Sequence, residues 1–196
     1  MNYLAHSFLS FSYGDILLGN FIADALRGKE VERYNVAVNK GILLHRLIDT
    51  FTDHHDIVRQ SKERLKPKYG KYDAVIMDIL YDYFLAINWN LYASISLPKH
   101  AEKVYQTLLQ NQAILPSKIQ QSLPYMMRQN WLVNYGTIDG ITQSLQGIAR
   151  RASFVSHMEE AVEDLQLNHQ NLNADFKIFF PELMAVCQAF LMGEET

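Results

Sequence analysis

At 196 residues with a formal net charge of −3, the chain is long enough for one domain with a sizeable core, and it lacks the strong positive charge of a general nucleic-acid binder. Cys187 is the single cysteine, which excludes an intramolecular disulfide and suits a reducing compartment. No apolar run is long enough to insert across a bilayer, and no basic residue precedes Arg27 as one would in a signal peptide, so a cytoplasmic protein is expected.

Helical period runs through almost every segment, and Leu, Ala, Gln and Glu outweigh Val and Thr. Helices are expected at residues 3–9, 15–26, 36–51, 56–65, 72–95, 98–111, 116–128, 138–150, 157–167 and 172–191. Glycines at 14, 28, 41, 70 and 136 and prolines at 67, 98, 116 and 181 punctuate them. With no linker, repeat or composition break, the expected fold is a single all-α domain over residues 1–196, a helical bundle.

The polar residues fall into repeating pairs. Asn20 and Asp24, four apart, sit among Leu17, Leu18, Phe21 and Ile22. They cap or face water, or else, if buried, they need a partner or a metal. In the segment from Gly41 to Asp56, Leu43, Leu44, Leu47, Ile48 and Phe51 make an apolar helical stripe. His45, Asp49 and Asp53 recur at four-residue steps along one side, followed by His54, His55 and Asp56. Arg46 offers the plainer explanation, a salt bridge to Asp49 or Asp53. The third pair, Asp78 and Asp82, lies in a helix otherwise nearly all apolar, so both acids need partners inside the fold. Asp73 reads as its cap or first-turn acid.

Three helices with the same pair spacing make a metal site in a bundle core the economical reading. Carboxylate and imidazole donors without thiolate suit Mn²⁺, Mg²⁺ or Fe²⁺ better than structural zinc. An ion so held can activate a water and polarise a phosphoryl oxygen. From Arg59 to Lys71 the chain carries six basic residues against one acid. That run is a solvated helix face, or a surface that steers an anionic substrate or acidic partner. Arg150 and Arg151 follow a helical run and suit either a helix C-terminus or a phosphate. The segment from His157 to Thr196 has eight acids and one lysine and suggests no chemistry.

The stretches MNYLAH at 1–6, GNFIAD at 19–24, GILLHRLIDTFTDHH at 41–55 and DILYDYFLAINW at 78–89 resemble the acyl carrier protein phosphodiesterases, as do LP at 115–116, NWL at 130–132 and the arginine pair at 150–151. The resemblance implies a helical fold distantly similar to the HD phosphohydrolases. It also implies a manganese-dependent enzyme of lipid metabolism and fatty-acid synthesis that hydrolyses 4′-phosphopantetheine from the serine of holo acyl carrier protein. By analogy with the wider superfamily's ligand set, it implies Asp24, His45, Asp49 and Asp78 as metal ligands, with Asp82 as the substitute for Asp78. His6, Asn20, Asp53 and His55 would form the surrounding shell or move protons. Arg59, Lys62, Arg64, Lys66 and Lys68 would face the acidic carrier protein. The family often has Asp-His where this chain has Asp82-Tyr83; if that histidine is catalytic, this protein is impaired, altered in substrate, or uses His54 or His55 instead. Two other readings stand beside this one: a metal-dependent phosphohydrolase acting on a nucleotide or other small phosphate ester, and a helical binding protein without chemistry.

Overall fold

The protein's structure, a computed structural model, describes residues 1–193. Among these there is no strand. Eleven α-helices carry the fold: α1 (Tyr3–Phe8), α2 (Asp15–Ile22), α3 (Val36–His54), α4 (Asp56–Tyr69), α5 (Asp73–Ile87), α6 (Leu97–Gln110), α7 (Ser117–Arg128), α8 (Trp131–Asn134), α9 (Ile138–Ala149), α10 (Ala161–Leu167) and α11 (His169–Met192). The all-α expectation is met. No described helix is long and apolar enough to cross a membrane.

Some boundaries differ from the sequence pattern for local reasons. The helix expected at 72–95 stops at Ile87, because Asn88 leaves helical geometry and turns its Nδ2 back to donate to the Phe84 carbonyl at 2.8 Å. The helix expected to end at Leu65 runs on to Tyr69. Pro67 removes one N–H from the last turn without ending it; Gly70, at φ +53°, ends it. The NWL stretch forms the short helix α8 after Asn130 turns the chain at φ +47°. Helix starts follow capping chemistry: Asn35 Oδ1 accepts from Val38 N at 2.9 Å, and Thr137 Oγ1 accepts from Gly140 N at 3.0 Å.

Helix α5 is buried on nearly every side, as its apolar sequence requires. Its Tyr81 and Phe84 pack on Phe176 and Phe179 of α11, and Phe176 stacks on Phe180 with ring centroids 4.9 Å apart. The two acids of α5 both serve the N-terminus. Asp82 is fully buried, and its carboxylate accepts from the backbone N–H groups of Asn2 (3.1 Å), Leu4 (2.8 Å) and Ala5 (3.3 Å). These are orphan donors of the first turn of α1, so Asp82 caps that helix from a neighbouring one. Burial lifts its carboxyl to about 7, against the pull of the N-terminal ammonium and the three N–H groups. Asp78 Oδ1 pairs with the Met1 ammonium at 2.7 Å. An Asp82→Asn protein keeps the shape but presents an amide NH₂ to one of these donors. It is expected to be less stable by about 1–3 kcal/mol, read from the urea midpoint.

Helices α2 and α3 approach each other closely enough for their backbones to meet. A Cβ on Gly19 would lie 1.9 Å from the Val38 carbonyl oxygen, and one on Gly41 would lie 2.1 Å from that of Ile16. Two glycines therefore let the two backbones touch, which carries Asn20 and the following Asp24 against His45.

Candidate metal centre

Helix α1 supplies His6, α2 supplies Asn20, the 3-10 turn after α2 supplies Asp24, and α3 supplies His45 and Asp49. Donor atoms of His6, His45 and Asp49 all lie within 4.8 Å of one another. His6 Nε2 is 3.2 Å from Asp49 Oδ1, and His45 Nε2 is 3.1 Å from both Asp49 Oδ2 and Asp24 Oδ1. The two imidazoles stack with centroids 3.9 Å apart. Both are buried, whereas the Asp24 side chain is 77 % exposed, so the cluster opens to solvent on the carboxylate side.

One buried residue fixes both rings. His6 Nδ1 donates to Asn20 Oδ1 at 2.8 Å, and His45 Nδ1 donates to the Asn20 carbonyl at 2.8 Å. The direction is set because Asn20 Nδ2 already donates to the His6 carbonyl (2.7 Å) and to Ser10 Oγ (3.0 Å), leaving Oδ1 as acceptor. With a hydrogen on each Nδ1, each neutral Nε2 turns a lone pair toward Asp49. A lone pair facing a carboxylate is repulsive unless a proton or a cation lies between them. Burial opposes charge on His45, yet hydrogen bonds to Asp24 and Asp49 carry it up to about 9. Burial and the neighbouring His45 hold His6 down to about 4. Burial would raise Asp49, but its close contacts with the histidines, the hydrogen bond from His45 first, hold its carboxyl well below the usual range. A single proton on His45 thus leaves His6 Nε2 unmatched, and a second would stack two imidazolium rings. The donor set fits a divalent cation, with histidine tautomers fixed from behind as in metal sites generally.

The other residues singled out in the sequence lie elsewhere. Asp53 is two four-residue steps beyond His45, and each step drifts by about 40° around a helix of 3.6 residues per turn, so it has rotated off the His45–Asp49 line. It faces Lys62 at 3.7 Å. His54 holds the Thr50 carbonyl at 2.8 Å. His55 starts α4, its Nδ1 accepting from Ile57 N at 3.3 Å while its Nε2 reaches Glu182 at 3.1 Å. Asp78 and Asp82 are occupied by the N-terminus. Arg46 makes no ion pair among the described residues, so it does not account for Asp49. Tyr83 Oη meets His169 Nε2 at 3.2 Å, on the face of α5 toward α11. His6, placed by the resemblance in the surrounding shell, stands at donor distance; the MNYLAH stretch was its sequence signal.

The basic run is largely spoken for. Arg59 pairs with Asp56, Arg64 with Asp175, and Lys68 with both Glu160 and Asp164. Lys71 lies over the Phe154 ring at 4.1 Å. Lys66 is exposed and makes no ion pair among the described residues. Nearer the cluster, Tyr3 stacks on Phe21 with centroids 4.8 Å apart. Burial raises its phenol, as does the charge of Asp24, while Arg151 pulls it down; acid and guanidinium thus both act on this ring.

Fold and site define the class: an all-α protein with a histidine–carboxylate donor set suited to metal-assisted hydrolysis. The family described as acyl carrier protein phosphodiesterase matches residues 1–183. The acyl carrier protein phosphodiesterase of Photorhabdus laumondii is 32 % identical over 185 residues, covering 94 % of this chain and 93 % of that protein. Those of Serratia proteamaculans and Yersinia enterocolitica are 31 % and 30 % identical, over 94 % and 96 % of this chain and 96 % and 98 % of theirs. The chain belongs to the acyl carrier protein phosphodiesterase family. No solved structure matches it.

Proposed function

We propose that the protein is a metal-dependent phosphodiesterase of the cytoplasm. It hydrolyses the bond joining 4′-phosphopantetheine to a serine of holo acyl carrier protein, leaving the apo carrier. The observation that carries this reading is the convergence of His6 Nε2 and His45 Nε2 on the two oxygens of Asp49, in a chain of this family.

His6, His45, Asp49 and Asp24 would hold the cation, Mn²⁺ or else Mg²⁺ or Fe²⁺. Bound there, such a cation supplies Lewis acidity toward a phosphoryl oxygen and lowers the pKa of a water. Asn20 holds both imidazoles so that their Nε2 lone pairs face the site. Asp24, exposed at the mouth, is placed to take a proton from the attacking water. Arg151 is the cation placed to meet phosphate charge beside Tyr3. Asp78 and Asp82 act at one remove by fixing the N-terminus and α1, so that His6 takes the ligand position first given to Asp78. Asp53 and His55 hold the Lys62 and α4 side of the molecule rather than reacting groups.

Asn20→Ala should weaken Mn²⁺ binding by about 10–100-fold in calorimetry on the folded protein, since both rings lose their back support. The activity itself is tested by incubating the protein with holo acyl carrier protein and Mn²⁺ and following the carrier's mass. Loss of the arm, prevented by a chelator, is expected.

The ion pairing of Arg59, Arg64 and Lys68, with Lys62 near Asp53, favours one alternative, hydrolysis of a nucleotide or other small phosphate ester without a protein substrate. Among the described residues it leaves Lys66 as the member of the proposed docking run without an ion pair. Bound metal with no loss of the carrier's arm would sink the carrier-protein reading in favour of this one.

A further inference from the structure

The two histidines that follow Asp53 take no part in the donor cluster, yet they share a pocket of their own. Leu47, Phe51 and His54 come two, six and nine residues after His45, which turns them roughly 180–240° around α3 from it. On that opposite face, where α3, the start of α4 and α11 meet, lies a pocket of about 580 Å³, the size of a small-molecule site. Leu47 and Phe51 give it an apolar wall. Thr50, His54, His55, Asp56 and Glu182 supply its polar atoms. The Glu182 side chain is 58 % exposed, so a ligand can reach it from solvent.

Apart from the Thr50 hydroxyl, which works either way, these polar atoms accept. His54 Nδ1 donates to the Thr50 carbonyl at 2.8 Å, so the neutral ring keeps a lone pair on Nε2, without a partner among the described residues. His55 Nδ1 accepts from Ile57 N at 3.3 Å, so its Nε2 carries the hydrogen and donates it to Glu182 Oε2 at 3.1 Å. That bond fixes the Glu182 carboxylate and leaves Oε1 without a partner among the described residues. Behind these groups the rings of Phe51, His55 and Phe179 pack together, with centroids 5.2 Å apart for Phe51 and His55 and 5.0 Å apart for His55 and Phe179. Aromatic faces carry partial negative charge and attract cations. Among the described residues no lysine or arginine lines the pocket, and Arg59 beside it is held on Asp56 at 2.8 Å. An anion would find lone pairs and a carboxylate there. An ammonium or guanidinium finds acceptors, a counter-charge and ring faces, and an apolar body attached to it covers Leu47 and Phe51.

We infer that this pocket is a second binding site, independent of the metal, for a small organic cation: a primary ammonium or guanidinium on a compact apolar body, held by Glu182 and His54. The inference stands whether or not the carrier-protein reading holds. The probe is 2-phenylethylammonium, titrated by calorimetry in the presence of chelator so that no metal contributes. Saturable binding of one equivalent is expected, weakened about fivefold by Glu182→Gln. That substitution keeps an acceptor for His55 at an exposed position, so folding is not at stake. Thr50→Lys, also exposed, sets an ammonium on the pocket wall and should abolish binding; the Thr50 carbonyl that holds His54 is unchanged. Two analogues of similar shape test the charge. Neutral 2-phenylethanol should bind at least about fivefold more weakly, and 3-phenylpropionate, a carboxylate, should not bind. Absence of saturable binding, equal binding of either analogue, or binding untouched by Glu182→Gln would overturn the inference.

Discussion

Asp49→Ala is expected to lose at least about a thousandfold in kcat/KM toward holo acyl carrier protein and at least about a hundredfold in Mn²⁺ affinity, while keeping its helical content. Both imidazoles aim at this one carboxylate, at 3.1 and 3.2 Å, and among the described residues no other acid contacts both. Asp24 touches only His45. Without Asp49, His6 Nε2 has no partner, and His45 keeps a single exposed one. The proton on His45 is then held less tightly, because one of the two hydrogen bonds that raise it is gone. The stability change should be small beside the loss of activity, since Asp49 is partly exposed and its removal leaves a water-accessible gap. Calorimetric Mn²⁺ titration, steady-state rates and thermal unfolding on one preparation separate the contributions. Intact metal affinity with lost activity would move Asp49 from the cation to the substrate. No bound Mn²⁺ and no activity before the substitution, with lowered stability after it, would instead support the reading of a binding protein whose histidines and acids only hold each other.

How far the sequence leads depends on whether a partner is near or far in the chain. The apolar all-round pattern of residues 73–87 is a local property, and α5 is buried accordingly. The His45–Asp49 spacing is local too, and α3 lays the two side chains together. The motifs that pointed to the family are confirmed by the match over residues 1–183. Asp78 and Asp82 look like Asp24 and Asp49 in the sequence, but their partners are an amino group and backbone N–H groups some 77 to 80 residues away. No spacing rule signals a backbone donor. The same holds for the basic run and the acidic C-terminal segment. Each reads alone as a charged surface, whereas Asp164, Asp175 and Glu160 lie against Lys68 and Arg64. The excess charge that suggested an external partner is in good part internal. Asn20 drew attention as half of a polar pair, but its use of both side chain and carbonyl to orient two histidines depends on how α2 lies on α3.

That dependence makes Gly41→Ala costly in stability, by about 3 kcal/mol or more in urea unfolding, despite adding one methyl group. Ordinary helix propensity predicts a gain for such a change in mid-helix. Here the new Cβ would meet the Ile16 carbonyl oxygen at 2.1 Å and the Asn20 nitrogen at 2.9 Å, both backbone atoms that no rotamer change can move away. Gly19 is the reciprocal contact, 1.9 Å from the Val38 carbonyl oxygen. Relief requires α2 to lift from α3. The 2.8 Å bond from His45 to the Asn20 carbonyl and the 3.1 Å contact from His45 to Asp24 both bridge that interface. Protein that remains folded should therefore bind Mn²⁺ more weakly, although no ligand has been changed. Gly147→Ala is the control, because Gly147 lies within α9 with nothing within 4 Å of a new Cβ. It should gain about 0.5–1 kcal/mol and leave metal affinity alone. If Gly41→Ala matched that control in both measurements, the spacing of α2 and α3 would not be what sets the histidine–carboxylate geometry.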